Sequence, residues 1–228
     1  RAMARFWGTD KEGVHFYAQH YQKHFSELRK RRITILEIEI GGYSDPKAGG
    51  ESLRMWKSFF PRAQVVGIDI ADKSAHQTSR IKTYCGSQTD PEFLERVISE
   101  IGEPDIIIDD GSHLNCDVIT TFKILFPKLK VPGFYCIEDL QTSYWTEVGG
   151  WNWDGSADLN AEGTSVNFLK SLVDCLNYEE FMDPEYRPTY FDRHIVAIHF
   201  YHNLAIIEKG INDEGSNVLG KRYQGDEI

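Results

Sequence analysis

Short apolar runs alternate along this chain with segments whose apolar positions recur every three or four residues. The runs are Ile33 to Ile38, Val65 to Ile70, Ile81 to Tyr84, Asp105 to Ile108 and Phe134 to Ile137, rich in isoleucine and valine. Continuous apolar strands of this length suit a parallel sheet covered on both faces by helices. Between them Glu51 to Phe60, Pro91 to Ile101 and Asp117 to Leu125 read as helices, with Pro91 at a first turn where its missing N–H is no loss. The alternation predicts an α/β fold with a doubly wound, mostly parallel sheet. After Asp139 the text changes to SYWTEVGGWNWDGS, then to a helix near Thr164 to Leu176. His194 to Tyr201 and Leu204 to Glu208, joined through His202 and Asn203, read as a closing antiparallel strand pair. With no repeat and no linker, residues 1–228 read as a single domain, 1–32 as an N-terminal helical cap and 140–163 as a lid-like aromatic insertion.

Composition narrows the function more than the fold. Of 228 residues 41% are hydrophobic and 26% charged, which suits a packed globular core. The formal net charge of −10 would repel a phosphate backbone, so nucleic acid is not expected as a partner. The one basic cluster, Arg29 to Arg32, closes a predicted helix, where cations complement the dipole. No apolar run approaches the roughly 20 residues that span a bilayer, and signal-peptide features are absent, so no membrane partner and a cytoplasmic location are expected. Cys85, Cys116, Cys136 and Cys175 are scattered without a CxxC pair and are expected reduced.

The candidate chemistry lies at strand ends, where open α/β sheets bind ligands. The first strand ends at LEIEIGGY: Glu37 closes the run, and Gly41 and Gly42 let the backbone approach a ligand. The second ends in GID, with Asp69 placed to accept hydrogen bonds from both hydroxyls of a ribose, and the third in CGSQTD, with Ser87 and Gln88 placed at an adenine edge. A dinucleotide site would want GxGxxG opening directly into a helix; GGYSDPKAGGESL contains none. S-adenosylmethionine carries no phosphate and needs only a close loop, a ribose acid and an adenine slot, which favours it over a nicotinamide dinucleotide.

The fourth strand finishes IIIDDGSH and the fifth YCIEDL, so Asp109, Asp110, Glu138 and Asp139 share one sheet edge if the strands are neighbours. Four carboxylates crowded together raise one another's pKa, and a hard divalent ion relieves the conflict. Oxygen ligands favour magnesium, manganese or calcium over zinc. His113, three residues after Asp110, should lie beside such a metal as a general base. His194, His199 and His202 read as structural. The aromatic segment from Tyr144 to Trp153 suits a lid or a platform for the C–H face of a sugar ring.

Together GTDK, LEI.IGGY, GG.SLRMWK.FFP, GIDI.DKS, GSQ.D, DIIIDDGSH, IEDL.TSYW and IHFY.NL..IEKG resemble the metal-dependent sugar O-methyltransferases of macrolide and other antibiotic pathways and their mycobacterial polysaccharide relatives, from about Gly8 to Gly210. The resemblance implies a Rossmann-like class I fold and S-adenosylmethionine with magnesium (or manganese or calcium). It implies Asp110, Glu138 and Asp139 as metal ligands, and His113, with Asp110, as the catalytic pair. The resemblance places the cofactor on Gly41, Gly42 and Asp69, with Thr9 a further candidate; Glu37, Ser87, Gln88 and Asp109, by their place at strand ends, complete the expected cofactor-binding residues. It further implies a small-molecule or oligosaccharide substrate with vicinal hydroxyls, and a homo-oligomer. The family usually reads LEIGIGGY, so Glu39 replaces a glycine beside the cofactor's methionine portion; His202 stands where an aspartate is common. A catechol-type O-methyltransferase and a degenerate cofactor-binding relative are the alternatives, the second resting on Glu39.

Overall fold

A computed structural model describes residues 1–216. Two N-terminal helices, α1 (Ala2–Trp7) and α2 (Ala18–Phe25), precede β1 (Thr34–Ile38), α3 (Glu51–Phe59), β2 (Gln64–Asp69), β3 (Ile81–Cys85), α4 (Pro91–Ile101), β4 (Ile106–Asp109), α5 (Asn115–Leu125) and β5 (Gly133–Ile137). A two-residue-per-strand hairpin follows, β6 (Glu147–Val148) with β7 (Trp151–Asn152), then α6 (Ser165–Cys175), α7 (Tyr190–His194), β8 (Ile195–Tyr201) and β9 (Leu204–Lys209). The main sheet runs β3-β2-β1-β4-β5-β9-β8, with the first five strands parallel and β9 antiparallel to both neighbours. The expected closing pair is therefore present, and strand order reverses between β1 and β4.

Two hydrophobic layers sandwich the sheet, one under α1, α2 and α3 and the other under α4, α5 and α6. Strand alternation sorts the side chains between them. In β1, Leu36 and Ile38 join the α4–α6 layer and Ile35 the α1–α3 layer; Ile107 and Tyr135 divide from Ile106, Ile108 and Cys136 in the same way. Both faces are buried, which is why these strands read as continuous rather than alternating apolar runs.

Local signals set most boundaries. Asp90 caps α4 by accepting from the N–H groups of Glu92 and Phe93, Pro91 fills the first turn, and Gly102 ends it. Thr164 caps α6 through the Asn167 N–H. Helix α5 starts two residues earlier than its sequence pattern, because a distant carboxylate caps it: Asp154 accepts from the Asn115 and Cys116 N–H groups at 2.7 and 2.9 Å. This contact also ties the aromatic insertion to the sheet. The β8–β9 turn carries His202, exposed, and Asn203 at φ 58°. Among the described residues no helix is long and apolar enough to cross a membrane, and all four cysteines are free.

Candidate active site

The same alternation that builds the core distributes the acids. Glu37, Asp110 and Glu138 follow the β1, β4 and β5 residues of the α1–α3 layer, while Asp109 follows those of the other layer. On the α1–α3 side the loop between α1 and α2 inserts Lys11, which is fully buried. Its ammonium lies 2.6 Å from Asp110 Oδ2, 2.8 and 2.9 Å from the two oxygens of Glu138, and 3.4 Å from Glu37 Oε1. The Tyr21 hydroxyl donates to Glu138 Oε1 at 2.5 Å and the Ser52 hydroxyl to Glu37 Oε2 at 2.9 Å. Burial alone would lower the Lys11 pKa, but Asp110, Glu138 and Glu37 carry it well above the usual range. Burial, and then the charge of Asp110, push Glu138 up; Glu37 is also raised, by burial against the opposing pull of Lys11. One buried ammonium thus faces three carboxylates, from β1, β4 and β5.

The four acids at the β4 and β5 ends thus do not converge as one set. Glu138 is turned inward onto Lys11 and Tyr21, and Asp109 is buried on the other face. There Asp109 accepts from Gln88 Nε2 and the Tyr135 hydroxyl, each at 3.3 Å, with burial pushing its carboxyl up to about 7. What does converge is Asp110, His113 and Asp139, whose potential ligand atoms lie within 4.8 Å of one another. Left-handed backbone at His113 (φ 57°) and Asp139 (φ 54°) breaks the alternation and turns both side chains to the strand ends. His113 Nε2 is 3.6 Å from Asp139 Oδ2, and the Tyr17 hydroxyl donates to Asp139 Oδ1 at 2.7 Å. Burial opposes ionisation of Asp139, yet His113, the Tyr17 hydroxyl and His15 hold it below the usual carboxylate range.

These residues open onto a cavity of about 390 Å³ whose walls also include Thr9, Glu39, Gly41 and Gly42. A second cavity, about 620 Å³, is walled by Asp69, Ser87, Gln88 and Gly111 and shares Glu39 and Tyr43 with the first. The groove therefore runs along the β1–β4 reversal, where the sheet topology places ligands. Asp69 accepts from the Ile40 and Ala71 N–H groups at 3.0 and 2.8 Å, one on each oxygen, leaving lone pairs on both. The Gln88 amide is committed within the protein: Nε2 donates to Asp109 and Thr121, and Oε1 accepts from Ser112 N–H. Ser87 Oγ lies 3.0 Å from Thr89 Oγ1. Glu37 and Asp109 line neither cavity. Gly42 has an internal reason beyond ligand approach: at φ 77° a Cβ would run into the Ala48 backbone.

Glu39 occupies the middle of the groove at φ 71°, a conformation that favours glycine. Burial, then the charges of Asp110 and Asp69, push its carboxyl up to about 8. The residue that reasoning from sequence missed is Lys11: GTDK marked a segment over the cofactor, but nothing in the spacing shows a lysine inserted among acids 99 and 127 residues away.

A parallel sheet with an antiparallel last pair, carrying its groove at the β1–β4 switch with a ribose-type acid at the end of β2, is the architecture of the class I S-adenosylmethionine-dependent methyltransferases. The chain's close homologues are sugar O-methyltransferases of the macrolide and tetracenomycin pathways. It is 49% identical over 210 residues to mycinamicin VI 2''-O-methyltransferase of Micromonospora griseorubida, matching 91% of this chain and 51% of that one. To 8-demethyl-8-alpha-L-rhamnosyl tetracenomycin-C 2'-O-methyltransferase of Streptomyces olivaceus it is 47% identical over 206 residues, 90% of this chain and 53% of the relative. The solved structure of MycE methyltransferase from the mycinamycin pathway, in complex with Mg, SAH and mycinamycin VI, superposes with a TM-score of 0.88 at 47% identity, covering 94% of this chain and 54% of that one. The chain spans about half the length of the relatives it matches. No protein-family model matches it.

Proposed function

We propose that this chain transfers the methyl group of S-adenosylmethionine to a sugar hydroxyl of a glycosylated natural product or polysaccharide precursor, with magnesium and with His113 as general base. The observation that carries the reading is the convergence of Asp110, His113 and Asp139 within 4.8 Å on the groove that Glu39, Gly41 and Gly42 wall. The similarity to MycE, solved with Mg, SAH and mycinamycin VI, supports the cofactors and the substrate class.

The donor set fits a hard dication. Magnesium keeps several waters and is commonly bound by one or two carboxylates, and Asp110 and Asp139 supply two that face the cavity. Glu138 joins them only by releasing Lys11, to which both its oxygens are bonded. When bound, magnesium supplies positive charge that lowers the pKa of a chelated hydroxyl and fixes its position. The remaining work falls to the protein. Asp69 takes the ribose, the loop at Gly41 and Gly42 receives the methionine portion, and Thr9 closes over the cavity from the N-terminal segment. His113, oriented by Asp139, accepts the hydroxyl proton as the oxygen attacks the methyl carbon; the sulfur–methyl bond breaks and its electron pair stays on sulfur, giving S-adenosylhomocysteine.

The single-domain reading, with 1–32 as cap and 140–163 as lid, belongs to the same proposal. Exposed Tyr144 and Trp151 in the insertion suit a sugar platform, and a homo-oligomer would bury them further. The test is methyl transfer from labelled cofactor to a macrolide glycoside bearing vicinal hydroxyls, beside a catechol, with and without chelator. Metal-dependent methylation of the glycoside is expected. Activity that survives complete metal removal, or preference for the catechol, would overturn the reading.

A further inference from the structure

Below the groove, on the outer antiparallel strands, a second group of ligand-type side chains comes together from three elements. His24 lies in the last turn of α2, His199 in β8 and Glu208 in β9, and their potential ligand atoms are all within 4.8 Å of one another. His199 Nε2 is 2.7 Å from Glu208 Oε1, and His24 Nδ1 is 3.7 Å from the same oxygen. The imidazole centroids are 4.4 Å apart. We propose that His24, His199 and Glu208 bind zinc, or a similar divalent transition metal, in a three-ligand site with its fourth position open to water, which ties α2 to the β8–β9 hairpin.

The ligand chemistry selects the ion. Two imidazoles and one carboxylate suit zinc far better than magnesium, and three protein ligands with water in a fourth position is a known zinc arrangement. Bonds of about 2.0–2.2 Å in a tetrahedron place ligand atoms roughly 3.3–3.5 Å apart. The observed 2.7 and 3.7 Å bracket that spacing, so small side-chain rotations open the site. The outer contacts are also in place. His24 Nε2 lies 2.9 Å from the Tyr201 hydroxyl, which leaves Nδ1 toward Glu208 as the ligating atom. The His24 side chain is 7% exposed while those of His199 and Glu208 are about one-third exposed, so an ion enters from the strand side. Lys23, 3.3 Å from the Tyr201 hydroxyl, and His20, stacked on Tyr201, are the other titratable groups at hand; neither takes a ligand position.

The site matters for the groove because α2 reaches both. Tyr21, one turn before His24, donates to Glu138, and Tyr17, immediately before the helix, donates to Asp139. A metal at the far end of α2 holds the register of those tyrosines against the acids.

Cobalt(II) titrated into chelator-stripped protein in excess magnesium tests this directly. The expected result is one equivalent bound, with the strong visible absorption of a four-coordinate nitrogen and oxygen site, displaced by zinc. His24→Gln and His199→Gln should lose at least the roughly 10- to 100-fold in affinity that even an outer-shell change costs, and zinc should raise the melting temperature of the native protein but of neither variant. His113→Gln should bind cobalt as the native protein does. If the native protein takes up no equivalent under these conditions, or if binding vanishes in His113→Gln and persists in the other two, the site is a cross-strand hydrogen bond only and the proposal falls.

Discussion

Lys11 Nζ sits between the two oxygens of Glu138, 2.8 Å from one and 2.9 Å from the other, in a pocket closed to solvent. A cation delivered by the N-terminal segment thereby neutralises acids delivered by the sheet, and Asp110, at 2.6 Å, links that buried cluster to the open groove.

Removing the cation should be among the costliest single changes in the molecule. Lys11→Met leaves Glu37, Asp110 and Glu138 facing one another in a buried site, and breaking a buried pair in this way costs about 3–5 kcal/mol. Urea melts of Lys11→Met should show that loss, and adding Glu138→Gln should recover part of it. Strict additivity of the two changes would show that they do not interact.

His113→Ala should lower kcat by about 100-fold or more while leaving cofactor affinity nearly unchanged, since its ring faces Asp139 rather than the ribose end of the groove. Because φ is 57° at this position, His113→Asn, which tolerates left-handed backbone better, is the control for strain. Both variants should be slow; an unchanged rate in either removes the base role.

Glu39 should make stability depend on pH. Its carboxyl is pushed up to about 8 in the fold against an ordinary 4.5. A raised acid is tolerated fully when protonated, so its contribution is intact below about pH 4.5 and is lost as pH rises through 8. Glu39→Gln has no carboxyl to ionise there. The variant should therefore be the more stable at pH 9, by at most roughly 5 kcal/mol and by less after a discount for partial exposure, and the gap should close by pH 5. Equal gaps at both pH values would dismiss the idea. Glu39→Gly should gain about 1 kcal/mol further at every pH by relieving the left-handed backbone.

Asp154→Ala should cost about 1–2 kcal/mol, because its carboxylate, held below the usual range by the Cys116 and Asn115 N–H groups against the opposing effect of burial, caps α5. Limited proteolysis offers a second reading: cleavage between residues 145 and 160 should accelerate, since the cap is also the insertion's anchor. A variant cut no faster than the native chain would separate the two roles.

The order of strands and helices was legible from local pattern, because apolar runs of four to six residues bounded by glycine, proline and acids have few ways to be buried. The closing antiparallel pair was legible too, from two β-type runs separated by only His202 and Asn203. So was the edge of the sheet at which the chemistry gathers, since strand ends and glycine turns are local features. The start of α5 was not, because its cap comes from Asp154, 38 residues beyond Cys116.

The amino-acid sequence by itself determined which residue types stand at the strand ends, and hence the fold class and the groove. Only the tertiary structure decided which of those acids meet. Alternation across a two-sided sheet sends Asp109 to one face and Asp110 to the other, left-handed backbone turns Asp139 and His113 outward, and a lysine from a remote loop claims Glu138. Charge pairing in a buried site depends on distances between segments far apart in the chain, and no local pattern encodes those distances.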